Sequence, residues 1–172
     1  NSEILYSVHD YLDQNNVHVN PFFKPNWSPY LFRSTDYLSS FYIIKKTVLE
    51  KINSDLIIHN CFNFDILLQS TEITKFIHHI SIPLYSIKHK QILNVNSKKL
   101  ALSNHLKRIN LKAIVKHGIT IDTFQINYKL DKKPKVSIII PTKNNYRILK
   151  RCIDSIEKKT NYKNKEIIIV DN

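Results

Sequence analysis

The 172-residue chain has 26 Lys and Arg against 14 Asp and Glu, so its formal net charge is +12, and 42% of its residues are hydrophobic. No apolar run approaches the roughly 20 residues of a membrane-spanning helix, and the aromatic residues are not interleaved with basic ones as in an RNA-binding sheet. The composition therefore predicts a soluble globular chain and argues against binding to nucleic acid.

The first thirty residues predict a strand, a hairpin and an ordered loop. Residues 3–7 have the pattern of a short strand, and the polar segment 10–16 is typical of a hairpin. Residues 20–29 contain three prolines, which are incompatible with regular structure. We expect the large aromatic side chains of this loop to be buried or to line a pocket: Phe22, Phe23 and Trp27.

The next segment predicts alternating strands and helices. Residues 37–46 favour a strand, after which Thr47 is expected to cap a short helix. Residues 60–73 predict a helix with one apolar face. Residues 79–87 predict another strand, and Pro83 within it indicates an edge position because proline cannot donate a ladder hydrogen bond.

A basic amphipathic helix and a β-ribbon are predicted in the middle of the chain. The helix covers residues 96–108 and either docks on the preceding elements or only connects them. The ribbon covers residues 111–130 and is interrupted by Gly118, the only glycine of the chain. Residues 131–134 form a polar linker.

The C-terminal segment predicts a strand, a helix and a second strand. Residues 136–140 and 166–170 are strongly apolar, as in parallel strands that are buried on both faces. Pro141-Thr142 is expected to stop the first strand, and Asn144 or Asn145 to cap the helix. The apolar positions of the helix predict one face packed on a sheet: Ile148, Leu149, Cys152, Ile153 and Ile156. The segment has the length of a right-handed crossover.

Ligands of such units bind beyond the carboxyl ends of the strands, where loop amides and helix N-termini meet anionic groups. Those ends are Pro141, Thr142, Lys143 and Asn144 after the first strand, and Asp171 and Asn172 after the second. An acid in this position accepts hydrogen bonds from a ribose hydroxyl or a base imide. The spacing is equally compatible with a simple turn at Asp171 and Asn172.

Cysteines and histidines do not indicate a metal site. Cys61 and Cys152 each lie among apolar neighbours, which predicts small core residues and fits a reducing cytoplasm. The adjacent histidines 78–79 point to opposite sides of a strand, and His89 lacks a ligand spacing to them. His59 with Cys61 supplies only half of a tetrahedral set.

The C-terminal pieces VSIIIPTKNN, CIDSI and TNYKNKEIIIVDN resemble the opening of a family 2 glycosyltransferase domain. The resemblance implies an α/β fold of GT-A type with a Rossmann-like nucleotide-binding half, and transfer of a sugar from a nucleotide-sugar donor to an acceptor hydroxyl. It also implies that six residues line the nucleotide pocket: Pro141, Thr142, Lys143, Asn144, Asp171 and Asn172.

The earlier pieces FFKPNWSPYLFRSTDYLSSFYIIKK, NFDILLQSTEI and IHHISIPLYSIK resemble the acceptor-side half of such a domain in tandem bacterial enzymes that build surface polysaccharides. This implies an acceptor-side half at residues 1–92, a connector at 93–133 and the first half of a second domain at 134–172. Since the chain has no Met and stops directly after a strand, we expect it to be a fragment, inactive alone.

One departure from the family pattern concerns the base. Where the family has an acidic base, a second acid and an arginine, this chain has Asn63, Asp65 and Gln69. An amide cannot take a proton near neutral pH, so no catalytic residue is assigned. Asp65 either replaces the base or stabilises the first helical turn. The alternative function is a non-catalytic acceptor-binding or scaffolding module.

The resemblance also implies cofactors and partners. A divalent cation, Mn or Mg, is expected for the parent protein, with ligands outside this chain. The partners are a nucleotide-sugar donor and a glycan or lipid-linked acceptor, with no nucleic acid. A cytoplasmic location is expected, and the net charge of +12 suits peripheral association with the inner membrane face.

Overall fold

The computed structural model describes residues 2–88 and 94–171. The chain forms two compact units, Asn1–Lys129 and Leu130–Asn172. Each unit combines helices with strands, and both parallel and antiparallel strand pairs occur. The predicted mixed α/β class is confirmed.

A four-stranded sheet organises the first unit. Its longest pairing joins β1 (Ile4–Leu12) in parallel to β4 (Ile77–Ile87). Two shorter strands pair antiparallel with β1: β2 (His18–Phe22) with its C-terminal half and β3 (Tyr42–Ile44) with its N-terminal half. Among the described strands, β4 pairs only with β1, so the predicted edge position is confirmed.

The described part of the first unit contains four α-helices, and the first, third and fourth of them share one hydrophobic core with β1. They are α1 (Pro29–Ser34), α2 (Lys46–Leu49), α3 (Phe62–Ile73) and α4 (Val95–Arg108). Local capping fixes two of their starts: the side chain of Ser28 accepts from an amide of α1, and Asn94 accepts from two amides of α4. Short 3₁₀ turns at Ser54–Leu56 and His59–Cys61 lead into α3.

The middle of the chain packs into the core of the first unit. Helix α4 contributes Ala101, Leu102 and Leu106, all fully buried. The antiparallel strands β5 (Ala113–His117) and β6 (Phe124–Tyr128) form the predicted ribbon, whose Val115 and Phe124 join the same cluster. The predicted helix therefore docks on the preceding elements and does more than connect them.

The glycine of the ribbon is required by space. A Cβ atom at position 118 would lie 2.2 Å from the Thr123 hydroxyl oxygen, closer than non-bonded atoms approach. The Gly118 amide donates to the Thr123 carbonyl at 2.8 Å, which closes the turn between β5 and β6.

The second unit is the predicted strand–helix–strand. It comprises β7 (Val136–Thr142), α5 (Tyr146–Lys159) and β8 (Lys165–Asp171). The two strands pair in parallel along their whole length. The side chain of Asn145 accepts from the amide of Ile148 and caps α5, as predicted for one of the two asparagines.

Several local predictions for the first unit are wrong. Only Tyr42–Ile44 of residues 37–46 is a strand, because Asp36 accepts two hydrogen bonds from Ser39 and turns the chain. Thr47 lies inside α2 and does not cap it. Phe23 is 73% exposed, whereas Trp27 packs against the core.

The burial expected of the second unit is also not found. Cys152 is exposed, while Cys61 is buried as predicted. Ile139 and Ile169 stand out from the strands with 64% and 47% of their surface exposed. Among the described residues of this unit none is fully buried, so the strands β7 and β8 are not covered on both faces.

Candidate functional sites in the two units

The strand ends of the second unit bring together three of the predicted pocket residues. In the register of the sheet, Pro141 lies beside Val170 and Thr142 lies beside Asp171. Pro141 and Thr142 are thus the last residues of β7, and not a loop that follows it as predicted. The sixth predicted residue, Asn172, lies outside the described residues.

The remaining two residues form the turn into α5. Lys143 is exposed, and Asn144 has a φ of 47°, in the left-handed region that asparagine tolerates better than most residues. Helix α5 begins at Tyr146, directly after this turn and its cap Asn145, and the partial positive charge of a helix N-terminus favours anions. The edge thus combines helix amides, the Lys143 cation and the Asp171 carboxylate.

A cleft of about 400 Å³ lies in the first unit. Its walls come from β1, β2, the segment after α1, the start of α3, helix α4 and the β5–β6 turn. The polar side chains that line it include His9, Asp36, Asn63, Lys98 and Asp122.

A buried ion cluster lies at this cleft. The Lys98 ammonium is 3.2 Å from the Asp36 carboxylate and 2.9 Å from that of Asp122. The side chains of Lys98 and Asp36 are each 1% exposed, whereas that of Asp122 is 32% exposed. The cluster joins α4 to the end of α1 and to the β5–β6 turn, and carries one more negative than positive charge.

The residues at the family's base positions are held by the protein. Asn63 accepts a hydrogen bond of 3.2 Å from the Tyr42 hydroxyl, at the rim of the cleft. Asp65 is buried, accepts from the Ile58 amide at 2.9 Å and lies 3.7 Å from Arg108. These contacts support the structural interpretation of Asp65, since the carboxylate anchors the turn before α3.

A second buried polar chain ends at the cleft. The Lys24 ammonium donates to the Tyr85 hydroxyl at 2.9 Å, and the Tyr85 oxygen lies 3.1 Å from Nδ1 of His9. When the Tyr85 hydroxyl donates to Nδ1 of His9, the hydrogen of the neutral ring lies on Nε2. Nε2 is buried and has no hydrogen-bond partner among the described residues. Burial, reinforced by Lys24, lowers the pKa of His9 to about 4, so the ring is neutral. Burial also lowers the pKa of Lys24 to about 8.

Sequence reasoning singled out Asn63 and Phe22 but missed the charged residues of the cleft and His9. Lys98 carried a readable signal, because it shares the helical stripe of Ala101, Leu102 and Leu106, where a lysine is unusual. The contributions of His9 and Asp36 depend on tertiary contacts with residues distant in sequence.

Neither a metal centre nor a membrane helix is found in residues 2–88 and 94–171. No group of three or more His, Cys, Asp and Glu side chains is placed to hold a metal ion. The side chains described therefore do not fit a divalent cation as a resident cofactor. No helix in these ranges has the length and apolar character needed to cross a membrane. The predicted lack of a zinc site at His89 concerns a residue outside the described ranges.

Residues 137–172 match the Glycosyl transferase family 2. The similarity to this family is thus carried by the second unit. The matched residues are β7 without its first residue, α5, β8 and the final residue. The family match thus includes the strand ends at which Thr142 and Asp171 meet.

Two curated proteins are similar to nearly the whole chain. It is 31% identical to the O-antigen biosynthesis protein RfbC of Myxococcus xanthus, over 98% of this chain and 14% of that protein. It is 27% identical to the uncharacterized protein y4gI of Sinorhizobium fredii (strain NBRC 101917 / NGR234), over 99% of this chain and 20% of that protein. The chain therefore spans a small part of either relative. No solved structure is significantly similar to it.

Proposed function

We propose that the protein to which this chain belongs is a nucleotide-sugar-dependent glycosyltransferase. It transfers a sugar to a glycan or lipid-linked acceptor in bacterial polysaccharide biosynthesis of the O-antigen or capsule type. The observation that carries the proposal is the coincidence of the family match with the paired strand ends of the second unit. The similarity to an O-antigen biosynthesis protein supports the kind of pathway.

In this proposal, the strand ends of the second unit hold the nucleotide. Asp171 accepts hydrogen bonds from a ribose hydroxyl or a base imide, because its carboxylate is acceptor-only when ionised. Lys143 and the amides around Asn144 face negative phosphate oxygens. Pro141, Thr142 and Asn172 complete the wall. A divalent cation, Mn or Mg, is expected in the whole enzyme, held by residues beyond these.

The acceptor and the location are part of the same proposal. Residues 1–92 supply the acceptor side of one transferase domain, and 134–172 open the next domain. Residues 93–133 connect the two, and their helix and ribbon also pack on the acceptor side. The net charge of +12 supports a cytoplasmic enzyme that associates peripherally with an anionic membrane face where lipid-linked acceptors are exposed.

Nucleotide binding tests the donor site directly. Isothermal titration of the chain with uridine, guanosine and thymidine diphosphates measures affinity, and the Asp171→Asn variant is expected to weaken the preferred nucleotide about tenfold or more. Asp154→Asn is the matched control, because Asp154 is a surface carboxylate of α5 that pairs with Lys150 at 3.5 Å. Equal affinities of the Asp171 and Asp154 variants would contradict the assignment.

Turnover tests the activity itself. The full-length protein is incubated with the corresponding nucleotide-sugars, with and without manganese, and release of nucleoside diphosphate is measured. Hydrolysis or transfer from at least one donor is expected. Failure to bind and turn over every donor would refute the proposed function.

A second function is favoured by the geometry around Asn63. The side-chain oxygen of Asn63 accepts a hydrogen bond from the Tyr42 hydroxyl. The buried Asp65 carboxylate accepts from the Ile58 amide and lies near Arg108. The cleft therefore presents no carboxylate at either base position. The first unit would then be a non-catalytic acceptor-binding module. Glycan binding by the first unit without a second transferase activity in the whole protein would support this alternative.

A further inference from the structure

A second cavity, of about 360 Å³, lies in the first unit and shares no lining residue with the cleft. We call it the basic cavity, because Arg33 and Lys75 line it. The segment before α1, helices α1, α3 and α4, and the turn after α3 form it. Its walls include two aromatic rings, two cations, a threonine and a histidine: Trp27, Phe32, Arg33, Lys75, Thr71 and His105.

A buried hydrogen-bond network orients Arg33 in this cavity. Nε of Arg33 donates to Nε2 of His105 at 3.2 Å, so Nδ1 of His105 carries the proton and donates to Glu72 at 2.7 Å. Arg108 donates to both carboxylate oxygens of Glu72. Burial lowers the pKa of His105, which keeps the ring neutral and able to accept from Arg33. Of the five guanidinium hydrogens of Arg33, the network uses one.

The terminal amino groups of Arg33 remain for a ligand. Within the described structure, the other contact of the Arg33 guanidinium is with the ring of Tyr30, 5.8 Å from its centroid. Two parallel N–H groups at the end of a guanidinium match the spacing of the oxygens of a carboxylate or phosphate.

The charges around the cavity favour an anion. Arg33 and Lys75 line it, and none of the described lining residues is acidic. The nearby carboxylates are engaged by cations outside the cavity: Arg108 lies 2.8 Å from Glu72 and 3.7 Å from Asp65, and Lys45 lies 3.7 Å from Glu3. An anion in the cavity therefore meets two lining cations and no lining carboxylate.

The other walls favour a ring that is apolar on one face and hydroxylated at its rim. Trp27 provides an aromatic surface together with Pro29, and the buried Phe32 packs behind Trp27 with a centroid distance of 5.5 Å. The Thr71 hydroxyl donates to the Leu68 carbonyl at 2.7 Å and keeps lone pairs to accept from a ligand hydroxyl. A pyranose ring has C–H groups for the aromatic surface and hydroxyls for the threonine, and the volume lies in the lower range of ligand pockets.

We propose that the basic cavity binds an anionic sugar unit, a pyranose ring that carries a carboxylate or a phosphate. Arg33 and Lys75 hold the acid group, and Trp27 contacts the ring. The site is separate from the donor site and from the cleft, and its occupancy does not require catalysis. It would select charged glycans over neutral ones.

Trp27 is the only tryptophan of the chain, so its fluorescence reports directly on this cavity. The chain is titrated with glucuronate, glucose 1-phosphate, glucose and inorganic phosphate at constant ionic strength. A saturable change with glucuronate or glucose 1-phosphate, and no saturation with glucose, is expected. The acid that saturates at lower concentration identifies the carboxylate or the phosphate as the group recognised.

Variants test the residues. Arg33→Gln is expected to weaken binding of the sugar acid about tenfold or more, because a charge-assisted bidentate contact is lost. Lys75→Gln changes an exposed side chain and is expected to weaken binding without altering the emission of the free protein. Arg147→Gln, on the exposed surface of α5, is the matched control and leaves binding unchanged.

Three results would overturn the proposal. The first is the absence of saturation with both sugar acids. The second is equal binding of glucose, or of inorganic phosphate alone, since either result removes the need for a charged ring. The third is unchanged affinity in both Arg33→Gln and Lys75→Gln. None of these results bears on the nucleotide site, because its test measures nucleotide affinity and turnover.

Discussion

The buried pair Lys98–Asp36 makes a strong prediction about the stability of the first unit. Lys98→Met keeps the length of the side chain and removes its charge, which leaves the Asp36 carboxylate buried at 1% exposure. Breaking a buried pair on one side typically costs about 3–5 kcal/mol, because the remaining ion is uncompensated. Asp36 retains two hydrogen bonds from Ser39, and Asp122 can turn to water. We therefore expect the lower end, about 3 kcal/mol.

Urea unfolding followed by Trp27 fluorescence measures this loss, because Trp27 packs against the core of the same unit. With a slope of about 2 kcal/mol per molar urea, a loss of about 3 kcal/mol lowers the midpoint by roughly 1.5 M. Lys46→Met is the control: Lys46 is 88% exposed and pairs with Glu50 one helical turn away, so its loss is expected to cost about 0.5 kcal/mol or less.

A double variant separates charge burial from packing. Asp36→Asn removes the carboxylate charge that Lys98→Met leaves unpaired. The double variant is therefore expected to lose about 1–3 kcal/mol less unfolding free energy than the sum of the two single variants. If Lys98→Met unfolds within about 1 kcal/mol of the wild type, or if the two changes are additive, the buried pair does not have the role assigned to it.

Two further predictions concern the cleft. The pKa of His9 is about 4 in the folded protein and about 6.5 in the unfolded chain, so the unfolded chain binds the proton at a higher pH. The free energy of unfolding therefore falls as the pH is lowered from 6.5 to 4, by up to about 3 kcal/mol. His9→Phe is expected to flatten this part of the pH profile in urea unfolding; an unchanged slope would mean that His9 is not buried as a neutral ring. Asn63→Asp in the full-length protein is expected to raise acceptor transfer about 100- to 10,000-fold if the first domain still binds a donor. An unchanged rate in that variant would favour the non-catalytic module.

Local signals explain the elements that could be predicted from the sequence. The apolar runs of β7 and β8 allow few alternatives to buried-type strands, and Asn145 offers a helix cap between them. The stripe of α4 likewise predicts an amphipathic helix. The helix predicted at 60–73 is found as α3, but its prediction of one apolar face is wrong, because all residues from Phe64 to Ser70 are buried. Each of these signals lies within about a dozen residues of the element that it predicts.

The failures have tertiary causes. Residues 37–46 contain β-branched and aromatic residues, but the Asp36 carboxylate binds Ser39 and replaces the start of a strand with a turn. Apolar composition alone overestimated burial at Phe23, since roughly half of a folded surface is apolar.

The candidate sites were predictable to different degrees. Thr142 and Asp171 could be placed side by side because parallel strands end at the same edge of a sheet. The Lys24–Tyr85–His9 chain and the basic cavity could not be predicted. The hydrogen-bonded pairs of the chain are 61 and 76 residues apart in the sequence, and Arg33 and His105 of the cavity are 72 residues apart. No periodic pattern encodes which buried polar side chains will meet across such distances.

The strands of the second unit are expected to exchange their amide hydrogens faster than β1 of the first unit. Strand β1 places fully buried side chains such as Ile4 and Tyr6 in the core, whereas none of the described residues of the second unit is buried. Ordering the backbone costs about 1–2 kcal/mol per residue, and exposed apolar side chains offset little of this cost. The free energy needed to open β7 and β8 locally is therefore small.

Hydrogen exchange followed by mass spectrometry or NMR on the chain decides this point. Residues 138–140 and 167–169 are expected to exchange at least about tenfold faster than the paired amides of β1, since each 1.4 kcal/mol of opening free energy is a factor of ten. Size-exclusion chromatography must accompany the measurement, because the unpaired edges of two strands also favour association, which would slow exchange. Slow exchange at these residues in a monomer would mean that the unit is stabilised beyond its own contacts, and the linker at 131–134 would then not be a folding boundary.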